Sequence, residues 1–344
     1  MTGELVRDIS EFELIRRLTR ALPERARTSP RVPVAIGDDA AVGTITPGGM
    51  LVVTTDTLNE NVHFRFDWTN WEDLGHKAIA VNLSDLAGMG ATPILLTVSL
   101  ALAGDEQVSD LEHLYLGMGK LAAANQAVIA GGDITRTTGS VSIAVTAIGE
   151  TNGPRLLRRD GARPDDLIWV TGYLGAAAAG LELELMADTD PRKRATTAKV
   201  LRNALHCPMP QCLAGRALAA IGIRCGMDLS DGLTGDLQKI LDASGVDAEL
   251  VLADLPIAAA VLALFRDQAR ELALHGGEDY ELLFTTPVDY STQIEEGIEL
   301  LGIRATVIGQ IYERAAAHSQ MFGNEGHGVR QQLVPRGFDH FKDA

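Results

Sequence analysis

Short apolar runs rich in β-formers alternate along the chain with stretches whose apolar positions recur every three or four residues, the pattern of an α/β or α+β protein. Residues 10–22 set Phe12, Ile15, Leu18 and Leu22 at helical spacing, and Ser10 with Glu13 reads as a capping box that opens this helix. Thr69 and Glu72 read as a second box, ahead of Leu74, Ala78 and Ile79 on one face. Ser109 and Glu112 read as a third, ahead of Leu111, Leu114, Met118 and Leu121. Residues 93–102 and 141–149 read as strands, apolar enough to need cover if they lie at a sheet edge. The stretch 150–166 is turn-rich and locally basic. It marks a boundary between a domain over 1–150 and a domain over 151–344. Beyond it, LIWVTGYLGAAAAGLELEL reads as strand, glycine turn and helix, and 186–211 as a mobile polar segment between helices. LSDLAGMG at 83–90 and LSDGLTGD at 229–236 echo one another, each with an Asp after a Ser at the start of a helix, as two related halves would.

A length of 344 residues suits two domains, and an apolar content of 46% is ample for their cores. Thirty Lys and Arg against 46 Asp and Glu leave a formal charge of −16, which argues against nucleic acid or an anionic membrane as partner. It does not argue against a nucleotide, because a bound cation inverts the local field. No apolar run reaches the ~18 residues of a membrane span. The first residues lack a continuous apolar signal core, so a cytoplasmic chain is expected. Cys207, Cys212 and Cys225 have neither a disulfide framework nor CxxC spacing, and free thiols are expected despite His206 beside Cys207.

The candidate chemistry lies in acidic turns that follow apolar runs: GDD (Asp38, Asp39), TTD (Asp56), LSD (Asp85), GGD (Asp133), DLSD (Asp228, Asp231) and GGEDYE (Glu278, Asp279, Glu281). Any one of them is accounted for as a cap or turn residue. Capping does not need the whole set. Carboxylates gathered without basic partners repel one another unless a cation joins them. Oxygen donors from Asp, with Thr54 and Thr55 hydroxyls or carbonyls, suit several Mg²⁺ ions rather than zinc. Such a set suits an enzyme that handles phosphates. Spacing of three would put Asp228 and Asp231 on one side of a helical turn, able to share a metal cluster. Of Asp38 and Asp39, one side chain would face metal and the other cap.

Other features are weaker. No GxxxxGK[ST] occurs, and GMGKLA at 117–122 fails GxGxxG at Ala122. Gly172, Gly175 and Gly180 read as a tight strand-to-helix turn rather than a phosphate cradle. One of Arg155, Arg158 and Arg159 could reach a nucleotide phosphate. Trp68, Trp71 and Trp169 read as core. Phe338 and Phe341, in a polar tail, read as candidates for a ligand-facing flap or a tail anchor.

GDDAAV, TTDTL, VNLSDLAGMGATP, GGD, DLSDGL and GGEDYELLF occur in an order and spacing that resembles the thiamine-monophosphate kinase family. That family belongs with aminoimidazole ribonucleotide synthetase, selenophosphate synthetase and the hydrogenase maturation protein that makes the thiocyanate group. The likeness runs from about residue 4 to the closing RGFDHF. It implies a two-domain fold of the aminoimidazole ribonucleotide synthetase kind: an N-terminal α/β domain that dimerises through its sheet, a C-terminal α/β domain, and a cleft between them. It implies ATP-dependent phosphorylation of thiamine monophosphate to thiamine diphosphate, with Mg²⁺ as cofactor and a homodimer as the assembly. By position, Asp39, Thr54, Thr55, Asp56, Asp85, Asp133, Asp228 and Asp231 match metal ligands. Tyr115, Gly132, Asp133, Arg159 and Ser230 match ATP contacts; His63, Glu278 and Phe338 match substrate contacts. Three positions depart from the family. HCPMPQ at 206–211 lacks flanking arginines, Ile134 follows GGD in place of Thr, and Phe338 stands where Tyr or Trp is frequent.

A phosphate monoester acceptor is largely ionised near neutral pH, its second pKa being about 6, so no general base is required. Repulsion between two polyanions is the obstacle, and metal ions remove it. Another ATP-dependent enzyme of the superfamily is the alternative. Selenophosphate synthesis is disfavoured by the lack of any Cys before Cys207. A non-catalytic divalent-metal module is the alternative of another class, and EF-hand spacing is absent.

Overall fold

The computed structural model describes residues 3–325 and 329–337; Phe338 and Phe341 lie outside the described residues. Two compact units divide the chain, one of residues 1–86 with 92–154, the other of residues 87–91 with 155–344.

The N-terminal unit runs α1 (Glu11–Ala21), β1 (Leu51–Asn59), α2 (Trp71–Gly88), β2 (Thr92–Leu102), α3 (Val108–Ala124), β3 (Val128–Arg136) and β4 (Ser142–Glu150). Its sheet has the order β1-β4-β2-β3. The crossover through α3 makes β2 and β3 parallel neighbours, and β4 slots antiparallel between β1 and β2. The two expected strands are therefore the interior pair of the sheet, not its edges. What stays uncovered in this unit is a face. Val53 is 55% exposed and Thr55, Thr57 and Ser99 are also exposed, while Leu58, Val98, Ile143 and Val145 on the other side are buried. Helices α2 and α3 press together at two glycines. A Cβ on Gly75 would sit 2.0 Å from the Leu114 carbonyl oxygen, and one on Gly117 1.9 Å from that of Glu72. The glycines of GMGKLA thus serve helix packing rather than phosphate binding.

The C-terminal unit runs β5 (Leu167–Thr171), α4 (Ala176–Leu185), α5 (Ala198–His206), α6 (Cys212–Ile221), β6 (Cys225–Asp228), α7 (Leu233–Ser244), β7 (Val246–Val251), α8 (Ala259–Phe265), α9 (Ala269–His275), β8 (Leu282–Thr286), α10 (Ser291–Glu299), β9 (Ala305–Glu313), β10 (Met321–Asn324) and β11 (Arg330–Leu333). The strands form one mixed sheet in the order β11-β10-β7-β9-β5-β8-β6. Leu237, Ile240, Leu250, Leu283 and Ile308 are fully buried in its core. Trp169 is buried as expected, stacked on Phe284 with its indole N–H donating to Thr286.

Several local expectations need correction. Ser10 caps α1, but the buried face is Leu14, Leu18 and Leu22, and Phe12 is 82% exposed. The cap of α2 is Asn70, which accepts from the Asp73 backbone at 2.9 Å while its own amide donates to the Asp73 carboxylate. Ser109 lies inside α3, whose N-cap Gln107 makes no side-chain cap bond. Residues 186–211 contain α5, because Ala198, Leu201 and Leu205 bury one stripe beside Ala179 and Leu183 of α4. The echo of the two LSD turns is not structural. Asp85 sits in the last turn of α2, whereas Asp231 precedes α7.

Candidate active site

The alternation of a strand sorts the acidic set of the N-terminal unit. Side chains on β1 alternate between the two sheet faces, so Thr54 and Asp56 point toward the helices and Thr55 and Thr57 toward the open face. The Thr54 hydroxyl donates to Asp85, and the Asp56 backbone N–H donates to Asn82 Oδ1 at 3.2 Å. Asn82 and Asp85 share a face of α2 because they are three residues apart. Asn82 is fully buried and turns its amide nitrogen onto the Ala78 carbonyl, leaving the oxygen for β1. Thr54, Asp56, Asn82 and Asp85 thus form one oxygen-rich patch. Asn82, missed in the sequence, is the buried hinge of that patch.

Thr55 and Asp133 belong elsewhere. The Thr55 hydroxyl donates to the Val145 carbonyl and accepts from Thr146. Asp133 pairs with Ser99, Ser99 with Ala144 and Ala144 with Thr57, one row across the open face. Three strand spacings, about 14 Å, separate Asp133 from β1. Side chains of Asp133 and Asp56 therefore do not meet inside this unit. Gly132 and Asp133 are exposed, as is Asp39, whose N–H donates to the Asp38 carboxylate at 2.9 Å. Tyr115 is only 7% exposed, and burial pushes its phenol far up. His63 Nδ1 accepts from the Asn59 backbone at 3.0 Å, which puts the neutral ring's proton on Nε2.

In the C-terminal unit Asp228 ends β6 and is buried, while Asp231 follows a bend, so the pair does not ride on a helical turn. Asp236, in the first turn of α7, accepts from the backbone N–H groups of Ser230 and Asp231, each at 3.0 Å. Lys239 donates to Asp231 at 2.5 Å and to Asp236 at 2.7 Å. This acidic turn carries its own cation. The signal was there as Asp236 and Lys239 at helical spacing, but the helix had to be located first.

The segment GGEDYE is zipped onto the same turn. Glu278 N–H donates to the Ser230 carbonyl, Tyr280 N–H to that of Leu229 and Leu229 N–H to that of Glu281, all at 2.8 Å. A Cβ on Gly277 would lie 2.6 Å from the Ser230 carbonyl oxygen, so only glycine allows this approach. Asp279 accepts from Gly175 N–H at 2.7 Å and Ala177 N–H at 3.3 Å at the start of α4, and Glu281 accepts from the Thr171 hydroxyl at 2.6 Å. Loss of hydration pushes both carboxyls up to about 7, against the pull of those donors. The Gly172–Gly175 turn receives these acids and is thereby a strand-to-helix joint, as expected.

Arg158 is held by Asp160, and Arg155 donates to the Ala220 carbonyl at 2.7 Å. Arg159 is exposed, and its side chain makes no hydrogen bond or ion pair among the described residues. The three cysteines are free thiols, and burial raises Cys212 to about 12 and Cys225 to about 11. His206 lies 3.4 Å from Glu184.

Among the described residues no three His, Cys, Asp or Glu side chains gather at metal-ligand spacing. Pairs of oxygen donors are what the chain offers. That fits Mg²⁺, which keeps several waters and takes one or two carboxylates plus substrate phosphate oxygens rather than an all-protein cage.

A mixed sheet in each unit, with acidic residues at strand ends and turns, defines a two-domain AIR synthase related protein. The family model of the AIR synthase related N-terminal domain matches residues 37–151, and that of the C-terminal domain matches residues 163–320. Thiamine-monophosphate kinase of Bacillus subtilis (strain 168) is 34% identical over 97% of this chain and 100% of its own length. Among solved structures, thiamine-monophosphate kinase from Stenotrophomonas maltophilia K279a is 38% identical with a TM-score of 0.78, over 90% of this chain and 96% of that one. AaThiL complexed with AMPPCP and TMP is 31% identical with a TM-score of 0.74, over 97% and 98% of the two chains. The chain belongs to the thiamine-monophosphate kinase family. No described helix is long and apolar enough to cross a membrane.

Proposed function

We propose that this chain transfers the γ-phosphoryl group of ATP to the phosphate of thiamine monophosphate, giving thiamine diphosphate and ADP, in the cytoplasm. The observation that carries this reading is the patch of Thr54, Asp56 and Asp85, whose β1 and α2 backbones are tied by the Thr54 hydroxyl to Asp85 and by the Asp56 N–H to Asn82. Family membership supplies the substrate class, and the AaThiL relative was solved with AMPPCP and TMP together.

Asp56 and Asp85 would hold Mg²⁺ in the N-terminal unit, with Thr54 orienting Asp85 through its hydroxyl. Asp39 and Asp133, and the backbone oxygen of Thr55, are further donors there; Asp228 and Asp231 are those of the C-terminal unit. Bound Mg²⁺ supplies charge neutralisation and in-line alignment of two polyanions. Gly132, Ser230, Arg159 and Tyr115 are proposed for ATP. Arg159 suits a phosphate because no carboxylate of the described chain engages it, whereas Tyr115 can act only from within α3. His63 can donate through Nε2, and Glu278 complements the donors and positive charge of thiamine, with Phe338 as a third contact.

Nothing in the acid set acts as a general base here. Asp279 and Glu281, the two members of that set whose carboxyls burial pushes up, are committed to α4 and Thr171. The acceptor phosphate, largely dianionic above its second pKa of about 6, needs none.

A homodimer completes the proposal. Rows such as Val53–Ile148 and Thr55–Thr146–Thr97 leave a broad small-residue and hydroxyl face open on the N-terminal sheet. A second copy of that face would cover it. The activity is tested by offering thiamine, thiamine monophosphate and thiamine diphosphate separately with MgATP. Phosphorylation of the monophosphate alone is expected; phosphorylation of free thiamine in its place would refute the reading.

A further inference from the structure

Two residues of GGEDYE hold backbone angles that side-chain-bearing residues avoid. Glu278 has φ +67° and Tyr280 has φ +51°. Left-handed geometry is unfavourable for an L-residue, and such strain persists only where the surroundings over-determine it. Asp279 sits between the two. Its carboxylate spans the first turn of α4, a ten-residue helix, through Gly175 and Ala177. The N–H groups on either side of it are tied to Ser230 and Leu229, and the Tyr280 side chain is buried. Beside those backbone ties to the 229–230 turn, the Asp279 side chain is the tie that joins this strained segment to α4, and the residue before it is Glu278.

We infer that Asp279 is a positioning residue for Glu278: by clamping the loop to α4 it holds Glu278 in the strained conformation from which its carboxylate meets the organic part of the substrate. This rests on the reading that Glu278 contacts thiamine monophosphate. Without the clamp, residues 278–280 fall back to ordinary angles, and the Glu278 carboxylate swings from its place while its chemistry is intact. The oxygen donors of β1 and α2 are untouched, and the Ser230–Asp231 turn, which the loop contacts at the Ser230 carbonyl, keeps its own hold on Asp236.

Steady-state kinetics of Glu278→Gln, Asp279→Asn and the double variant test this. Asp279→Ser, which keeps one acceptor for the α4 N–H groups, stands in should Asn disturb folding, and thermal unfolding checks each protein. The expected result is a KM for thiamine monophosphate raised about tenfold in Asp279→Asn, with KM for ATP within about twofold of the parent. The double variant should be no worse than Glu278→Gln, because the pin acts through that residue. If Glu278→Gln leaves KM for thiamine monophosphate unchanged, the underlying reading of Glu278 falls. If Glu278→Gln raises it and the folded Asp279 variants do not, or if the two losses simply add, the clamp is structural and the inference is overturned.

Discussion

Thr54 on β1 donates its hydroxyl to the carboxylate of Asp85 in the last turn of α2. With the Asp56 backbone bond to Asn82, this contact ties β1 to α2 on the helix side of the sheet, whereas Asp133 lies in a row across the open side.

Asp85→Asn and Asp56→Asn should each abolish phosphoryl transfer and leave the fold intact. Each keeps its shape but loses the charge that binds Mg²⁺. Without a cation the Asp85 variant should be no less stable than the parent, since an Asn oxygen still accepts from Thr54. Thr54→Val should be milder, raising the Mg²⁺ concentration needed for half-maximal rate. Magnesium titrations with circular dichroism on the same samples check all three, and a normal rate in either Asn variant at saturating Mg²⁺ contradicts the assignment.

Lys239 should matter to stability as well as to the site. It is shared by Asp231 and by Asp236, which is wholly buried. Lys239→Met leaves that buried acid without its cation. The cost should be about 1–3 kcal/mol, less than for a fully buried pair because Lys239 reaches solvent. Urea unfolding measures it; an unchanged midpoint would show that Asp236 is satisfied by its backbone donors alone.

How far the sequence foretold this differs by feature. The apolar stripes of α2 and α3 were legible because burial writes itself as periodicity, and so were β2 and β4. The α1 face was misjudged because Phe12 fits the spacing as well as Leu14 does. The acids were legible as a set, but their partition was not. Thr54 and Thr55 are indistinguishable until it is known which side of β1 the helices cover, and that depends on the path of α2. Lys239 escaped notice because its partners lie three and eight residues before it, across a bend. Asp279, one carboxylate among three in GGEDYE, reveals its task only through α4, about a hundred residues away.

Stability of the C-terminal unit should depend on pH through Asp279 and Glu281. Their unfolded values are 3.8 and 4.5, and their folded values about 7. The folded chain binds these protons more tightly, so the contribution is whole below the unfolded values and is lost as pH rises toward 7. Glu281→Gln removes one such group and should gain stability relative to the parent on going from about pH 5 to about pH 8. Chemical unfolding at the two pH values gives the difference; the same gap between variant and parent at both would show that Glu281 is already ionised in the folded chain near pH 5.

Light scattering should report roughly twice the chain mass of 36.7 kDa. Thr146→Arg, in the middle of the open sheet face, should return the chain to a monomer by burying an unpaired charge at the dimer contact. A parent that is monomeric at micromolar concentration contradicts the proposed pairing of sheets.

The most direct test of the account is product analysis. Purified protein incubated with ATP, Mg²⁺ and thiamine monophosphate should form thiamine diphosphate and ADP in equal amounts, resolved by chromatography, and the reaction should stop when Mg²⁺ is chelated. Absence of thiamine diphosphate under these conditions, or its formation at full rate with the metal removed, would contradict a metal-assisted kinase.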